Sequence, residues 1–408
     1  MTTHRILDDT DGQGWRRPQV LLFLMAAATG LSFATWQALL NNFAIERAAF
    51  TGAEIGILQS LREIPGLIAF GAVFVLLVIR EQSLALMALA LLGVGTAITG
   101  FFPSAMGLYV TTVIMSLGFH YYETVQTSLS LQWVTKDRAP LVLGRIISVN
   151  AFAGLTGYGI VYLATEVAGL DFRWTYLLGG GATVAMVVFA WIAFPRFSQP
   201  VIQRRHMVLR RRYWLYYALT FLAGARRQVF IVFAGFMMVE KFGFGVGAIS
   251  LLFLLNGTLN VFLAPRIGRL IRRWGERRAL TLEYAGLILV FTAYAFVDNA
   301  VLAAILYVID HLFFAMAIAI KTYFQKIADP ADIAPTAGVG FSINHIAAVV
   351  IPVVFGLIWL VSPAAVFLSG TGVAVASLIL ARNIPAAPAP GNEAIRGKIV
   401  APAGAVAG

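Results

Sequence analysis

The sequence predicts an all-α polytopic membrane protein, with twelve transmembrane helices arranged as two pseudo-symmetric six-helix bundles. Three observations carry this expectation. Of the 408 residues, 60% are hydrophobic and only 12% charged, whereas soluble domains run near about 45–50% apolar and about 25% charged. The apolar residues recur along nearly the whole chain in twelve runs, each near the length of about 20 residues that a helix needs to cross a hydrocarbon core. Lysine and arginine gather between the runs, and almost all on one side.

The runs lie near 18–42, 54–79, 83–101, 104–134, 139–168, 172–194, 213–240, 246–271, 278–297, 300–326, 333–360 and 363–383. Short breaks separate them, such as Phe102-Pro103-Ser104 and Asp329-Pro330. Strands cannot replace these helices. An open sheet edge in lipid leaves backbone groups unpaired, and no ten-residue stretches alternate apolar and polar as a barrel requires. With both ends placed in the cytoplasm, 23 of the 30 Lys and Arg face that side, 3 face the other and 4 fall within spans. That bias sets the orientation expected from positive-inside charge.

The domain plan follows from these spans. Residues 1–17 form a cytoplasmic tail, 18–194 a first bundle, 195–212 a basic linker with Arg204-Arg205 and Arg210-Arg211-Arg212, 213–383 a second bundle, and 384–408 a Pro/Ala/Gly tail expected to be unstructured. The tail before the first run carries Asp8, Asp9 and Asp11 and leads to no cleavage site, so the first run is expected to stay as a span.

Other classes fall away on chemistry. The net charge of +11 comes from loop clusters suited to anionic lipid, with no aromatic-interleaved basic stripe for nucleic acid. There is no cysteine, hence no disulfide and no thiolate metal site. Neither a phosphate-binding loop, a nucleophile elbow nor a zinc-protease helix occurs, so no enzyme and no cofactor are expected. Gly179-Gly180-Gly181 sits inside an apolar helix and reads as close helix packing. Trp133, Trp174, Trp214 and Trp274 read as headgroup anchors.

The two halves repeat weakly. Ser148-Val149-Asn150 precedes Ser342-Ile343-Asn344 by 194 residues, and His120 precedes His311 by 191. Arg80-Glu81 has a loose counterpart in Gly275-Glu276-Arg277. Agreeing offsets suggest a six-helix unit used twice, which is how many transporters build a site near the midplane.

The basic loop after the eighth run, Gly268-Arg269-Leu270-Ile271-Arg272-Arg273-Trp274-Gly275-Glu276-Arg277-Arg278, is similar to the loop motif of the major facilitator superfamily, with Arg272 where an acid is usual. In the first half Gly71 and Arg80 remain, while Val75 occupies the acid position and Ile79 stands where a basic or small residue is usual. Lys136-Asp137-Arg138 followed by Gly144-Arg145 resembles the family's fourth loop. The fifth run has Gly154, Gly157 and Gly159 without the glycine-proline pair of antiporters. The resemblance covers roughly residues 15–385. It implies two bundles around a central cavity lined mainly by spans one, four, seven and ten, opened to each side in turn by rocking.

Charges within spans are costly, about 2.5–3.5 kcal/mol or more near the centre, and mark function or a buried partner. Arg62-Glu63 lies near the middle of span two, before Pro65. Adjacent helical positions point about 100° apart, so the two are not expected to pair face to face. A salt bridge inside the bundle competes there with a proton role for Glu63. In span four, His120 and Glu123 share a face, as do Tyr122 and Gln126. An acid beside an imidazole suits proton exchange or substrate contact, with an interhelical hydrogen-bond network as the bland reading; two ligands are too few for a closed metal site. In span seven, Arg226-Arg227 requires anions, and pairing with Asp310 of span ten would satisfy only one of them. Asp310-His311 and Asn344-His345 form a proton relay, hold ordinary core histidines or, least favoured, ligate a metal. Trp36-Gln37 and Asn41-Asn42 are further cavity candidates, and Asn256 with Asn260 reads as helix glue.

Together these residues point to a secondary active transporter that moves a small solute by alternating access across the cell (inner) membrane, as a monomer with both termini cytoplasmic. Protons are the expected coupling ion, carried by Glu63, Glu123 and Asp310. Arg226, Arg227, His120, Tyr122 and Gln126 are the expected substrate contacts, and the arginines favour an anionic solute. The expected partners are the solute, protons and the bilayer, with no nucleic acid, metal or cofactor. The alternatives are a passive facilitator of the same fold and a non-transporting receptor or scaffold.

Overall fold

The computed structural model describes residues 14–68, 75–76, 78–134, 139–197, 209–329 and 332–397. Gly71, Lys136-Asp137-Arg138 and most of the basic linker lie outside these residues. The described chain is helical and shows no sheet, only an isolated bridge between Ala389 and Asn392. The helices are α1 (Pro18–Ala48), α2 (Gly52–Leu67), α3 (Glu81–Thr99), α4 (Ala105–Trp133), α5 (Ala139–Tyr162), α6 (Phe172–Ala193), α7 (Arg211–Glu240), α8 (Val246–Trp274), α9 (Glu276–Phe296), α10 (Ala300–Ile327), α11 (Ile333–Val361) and α12 (Pro363–Arg382).

Ten of them are long and apolar enough to cross a membrane. The other two have simple reasons for falling short. Helix α2 is described over only 16 residues, and the hydropathy of α4 is diluted by His120, Tyr121, Tyr122, Glu123 and Gln126. Side-chain caps set several starts. Ser104 accepts from the Gly107 amide at 3.1 Å, Asn299 from Leu302 at 3.0 Å and Ser362 from Ala365 at 3.2 Å, each satisfying an otherwise orphaned donor. Between α8 and α9 the chain turns at Gly275, whose φ of 80° suits glycine.

Three helices depart from regular α geometry. Helix α5 runs on through a π turn at Leu163–Val167, α7 contains a π segment at Val229–Ala234, and α10 is interrupted by a 3₁₀ turn at Ala315–Ala317. Such irregularities free backbone carbonyls and often accompany functional sites. The break in α7 follows directly on Arg226-Arg227-Gln228, and that in α10 begins one helical turn after Asp310-His311.

The chain divides into two compact units: Met1–Phe50, Leu61–Arg204 and Gly243–Gly257 form the first, and Thr51–Ser60, Arg205–Phe242 and Thr258–Gly408 the second. In the first unit, α1 packs on α5 and α6, and α3 on α4 and α6. The glycines of α6 serve close packing: a Cβ at Gly180 would strike Gly93 and Ala97 of α3, and one at Gly179 would strike Thr35 of α1. Residues 243–257 belong to this core as well. Asn42 donates to the Phe244 carbonyl at 2.7 Å, and Glu166 accepts from the Gly247 amide at 3.1 Å.

In the second unit α9 packs on α12, and α7 on α11 and α12. A helix crossing recurs here from the first unit. Gly30 of α1 lies against Asn150 and Ala153 of α5, and Gly224 of α7 lies against Asn344 and Ala347 of α11. All three pairs of equivalent positions are 194 residues apart, the offset of the sequence repeat. At one end of this unit Arg210 bonds Asp332 at 2.6 Å, Tyr213 donates to Asp332 at 2.9 Å, and Arg212 pairs with Asp329. Glu276, from the loop motif, is buried and pairs with Lys326 at 2.7 Å.

Two expectations are corrected. Residues 384–397 are not an unstructured tail. Asn383 accepts from the Arg396 amide at 2.7 Å and donates to its carbonyl at 3.1 Å, closing a loop. Tyr323 then bonds the Glu393 carbonyl at 2.5 Å and Trp214 the Gly397 carbonyl at 3.0 Å, while Ile384 and Ala394 are buried. The Pro/Ala composition hid this because the fastening groups are backbone carbonyls and distant aromatics. The same contact gives the indole N–H of Trp214 a protein partner. Trp133 is likewise buried, edge-on to Phe197, whereas Trp174 and Trp274 are exposed as headgroup anchors would be.

Candidate functional site

Each unit buries its own charged cluster. In the first, Arg62 and Glu63 of α2 are 6% and 3% exposed and form an ion pair with each other. The expectation that neighbours on a helix cannot pair is therefore corrected. The backbone directions do diverge, but the long arginine side chain folds back across the helix face to reach the adjacent carboxylate. Its guanidinium also lies 5.8 Å from the centre of the buried Trp36 ring, a cation–π contact. Ser116 of α4 donates to the Arg62 carbonyl.

From α4, His120 is buried and sits 3.9 Å from Glu123, whose side chain is half exposed. This is the expected i,i+3 pairing, held loosely. Tyr122 is buried and Gln126 half-buried. Gln37 accepts from Tyr158 at 3.1 Å, while Asn41 and Asn42 are buried. Asn256 is buried and Asn260 exposed, so only the first sits where interhelical glue would be.

The second cluster is deeper. Arg226 of α7 is 3% exposed and pairs with Glu283 of α9 at 3.4 Å. Its guanidinium stacks 4.2 Å from the Tyr284 ring centre. Asp310 of α10, 1% exposed, lies within Coulomb reach of both Arg226 and Glu283. His311 packs on Phe230 at 5.7 Å, within the π segment of α7, and His345 bonds the Phe341 carbonyl of its own helix at 2.9 Å.

Glu283 is the residue that sequence reading missed. It lies seven positions into α9, close enough to Arg277 and Arg278 to pass for a headgroup-facing acid, yet it is fully buried. An acid followed by an unbroken apolar run was the available signal. Arg227, one position on from Arg226, differs sharply from it. It is half-buried, its Nε has no hydrogen-bond partner, and no carboxylate lies within ion-pair distance among the described residues.

A family model for the Major Facilitator Superfamily matches residues 20–352. The chain belongs to this superfamily. No curated protein sequence matches it. Among solved structures, this superfamily member is similar to a mutant of the nucleoside transporter NupG, with a TM-score of 0.73 at 14% identity over 90% of this chain and 99% of that one. It is similar to a bacterial homolog of the human lysosomal transporter Spinster, inward-facing and occupied, with a TM-score of 0.68 at 13% identity over 91% and 95%. A POT family transporter in complex with 5-aminolevulinic acid gives a TM-score of 0.70 at 12% identity over 89% and 94%. Likeness at these identities is one of fold. Membership of the superfamily, with the apolar helices, makes the chain a multi-pass integral membrane protein of transporter architecture.

Proposed function

We propose that this superfamily member is a secondary active transporter of a small anionic solute, coupled to protons, in the cell (inner) membrane. It acts as a monomer with both termini cytoplasmic and two six-helix bundles, 18–194 and 213–383. The observation that carries the anionic reading is the contrast between two adjacent arginines. Arg226 has its carboxylate; among the described residues Arg227 has none. An arginine at span depth without a counter-ion is costly, and a carboxylate or phosphate fits its planar fork.

In this reading Arg227 is the principal substrate contact, joined by His120, Tyr122 and Gln126 of α4, and Arg226 holds the geometry of α7 through Glu283. Glu63, Glu123 and Asp310 exchange protons as the protein alternates. No nucleotide-binding motif is present to supply energy in another way.

The test is a thermal-shift screen of the purified protein against organic anions, cations and neutral metabolites, followed by uptake into proteoliposomes with and without an imposed pH gradient. An anion that stabilises the parent but not Arg227→Ala supports the site. Stabilisation only by cations or neutral solutes overturns the substrate class. Uptake indifferent to the gradient makes the protein a passive facilitator, and absence of any solute flux makes it a receptor or scaffold.

A further inference from the structure

The second cluster holds one cation and two acids. Arg226, Glu283 and Asp310 are 3%, 0% and 1% exposed. Glu283 Oε2 and Asp310 Oδ2 each lack a hydrogen-bond partner among the described residues. Among the described residues, the groups around them add no second cation. Helix α9 presents Tyr284 and Tyr294, whose hydroxyls also lack partners. Helix α10 presents Tyr307 and His311, which pack on Phe230. On α7, the ion pair to these acids is made by Arg226, and the adjacent Arg227 forms none with either of them among the described residues. Helix α12 carries no titratable residue before Arg382 at its end, and the single one on α11, His345, bonds its own helix.

One guanidinium neutralises one carboxylate. A second ionised carboxylate enclosed at this depth is left uncompensated, and isolation of that kind is more costly than any single hydrogen bond repays. The count calls for one further positive charge. A proton suits the space, since it needs a single orphaned oxygen, while metal ions need four or more ligands.

We propose that Glu283 and Asp310 share one exchangeable proton over Arg226, so that Glu283 belongs to the coupling machinery together with Asp310. The proton sits on whichever carboxylate Arg226 does not hold. With Arg226 on Glu283, as here, it lies on Asp310; movement of α7 or α10 at their irregular turns hands the guanidinium across and passes the proton to Glu283. This deepens the proton-coupled reading and rests on it for its transport consequence, but the shared proton itself is measurable without transport.

The stability signature is unusual for an ion pair. Glu283→Gln or Asp310→Asn leaves one acid for one arginine, so each should fold and melt within about 3 °C of the parent. Arg226→Ala leaves two acids and no cation and should melt far lower. Infrared difference spectra of the purified protein at neutral pH should show the carbonyl stretch of one neutral carboxylic acid, lost in each single variant. Absence of that band in the parent, or its persistence in both variants, overturns the proposal. Should one variant fail to fold, the other and the parent spectrum still decide it. In proteoliposomes, both variants should lose gradient-driven accumulation at least tenfold while retaining solute counterflow. If the parent shows the band but no gradient-driven uptake, proton coupling fails and the shared proton stands. If the parent accumulates solute and Glu283→Gln does so equally, the role of Glu283 in coupling is refuted.

Discussion

The two units handle buried charge differently. The first pairs Arg62 with its sequence neighbour Glu63, so the ion pair rides on one helix and can move with it. The second pairs Arg226 with Glu283 across 57 residues and two helices, with Asp310 from a third nearby. A pair on one helix does not by itself tie that helix to a neighbour. A pair between helices fixes their relative position, and breaking it exposes charge on two elements at once.

The largest test of that contrast is Arg226→Ala. Removing one partner of a buried pair typically costs about 3–5 kcal/mol, and chemical unfolding in detergent should show a loss of that order. Glu63→Gln should cost less, about 1–3 kcal/mol, because Arg62 keeps its contact with Trp36. Equal losses in the two variants would erase the distinction between local and cross-helix pairing.

The repeated glycine crossing sharpens the comparison at smaller scale. At Gly30 a Cβ would collide with the Asn150 backbone carbonyl, whereas at Gly224 the nearest atom is the Asn344 side-chain amide at 3.0 Å. Side chains yield more readily than backbone. Thermal melts should therefore show Gly30→Ala costing about 1–3 kcal/mol and Gly224→Ala less. The reverse order would mean that the two crossings are not mechanically equivalent.

The smallest expected effect is on pH dependence, and it belongs to the second unit alone. Burial pushes the Asp332 carboxyl up, but hydrogen bonds from Arg210 and Tyr213 outweigh it and hold the group below its usual range. A carboxyl lowered by folding stabilises the protein above the ordinary range and ceases to do so as pH falls through the lowered value. Melting temperature followed from about pH 6 to about pH 3 should drop slightly less in Asp332→Asn than in the parent.

Much of this was legible in the sequence because lipid leaves few choices. Runs of about 20 apolar residues become helices, and the spacing of Asn150 and Asn344 pointed to a unit used twice, in which a glycine crossing recurs. Arg62, Glu63, His120, Arg226 and Asp310 stood out as charges within apolar runs, and all five are buried. What could not be read was partnership. Nothing in the spacing links Arg226 to Glu283, since which helices touch depends on bundle packing. At Arg62 and Glu63 the Cα–Cβ directions diverge, but the tip of a long arginine side chain is not bound by them. The fastening of residues 384–397 was hidden because Tyr323 and Trp214 bond to carbonyls there, and every residue type has a carbonyl.

That fastening has a practical corollary for anyone handling the protein. Because Asn383, Tyr323 and Trp214 clamp the chain as far as Gly397, an affinity tag or fluorescent fusion is best joined beyond that glycine. Trimming back to the end of α12 at Arg382 would remove Asn383 and Ile384 with the loop and strip the Tyr323 phenol and the Trp214 indole of their carbonyl partners, which favours sticky, short-lived preparations.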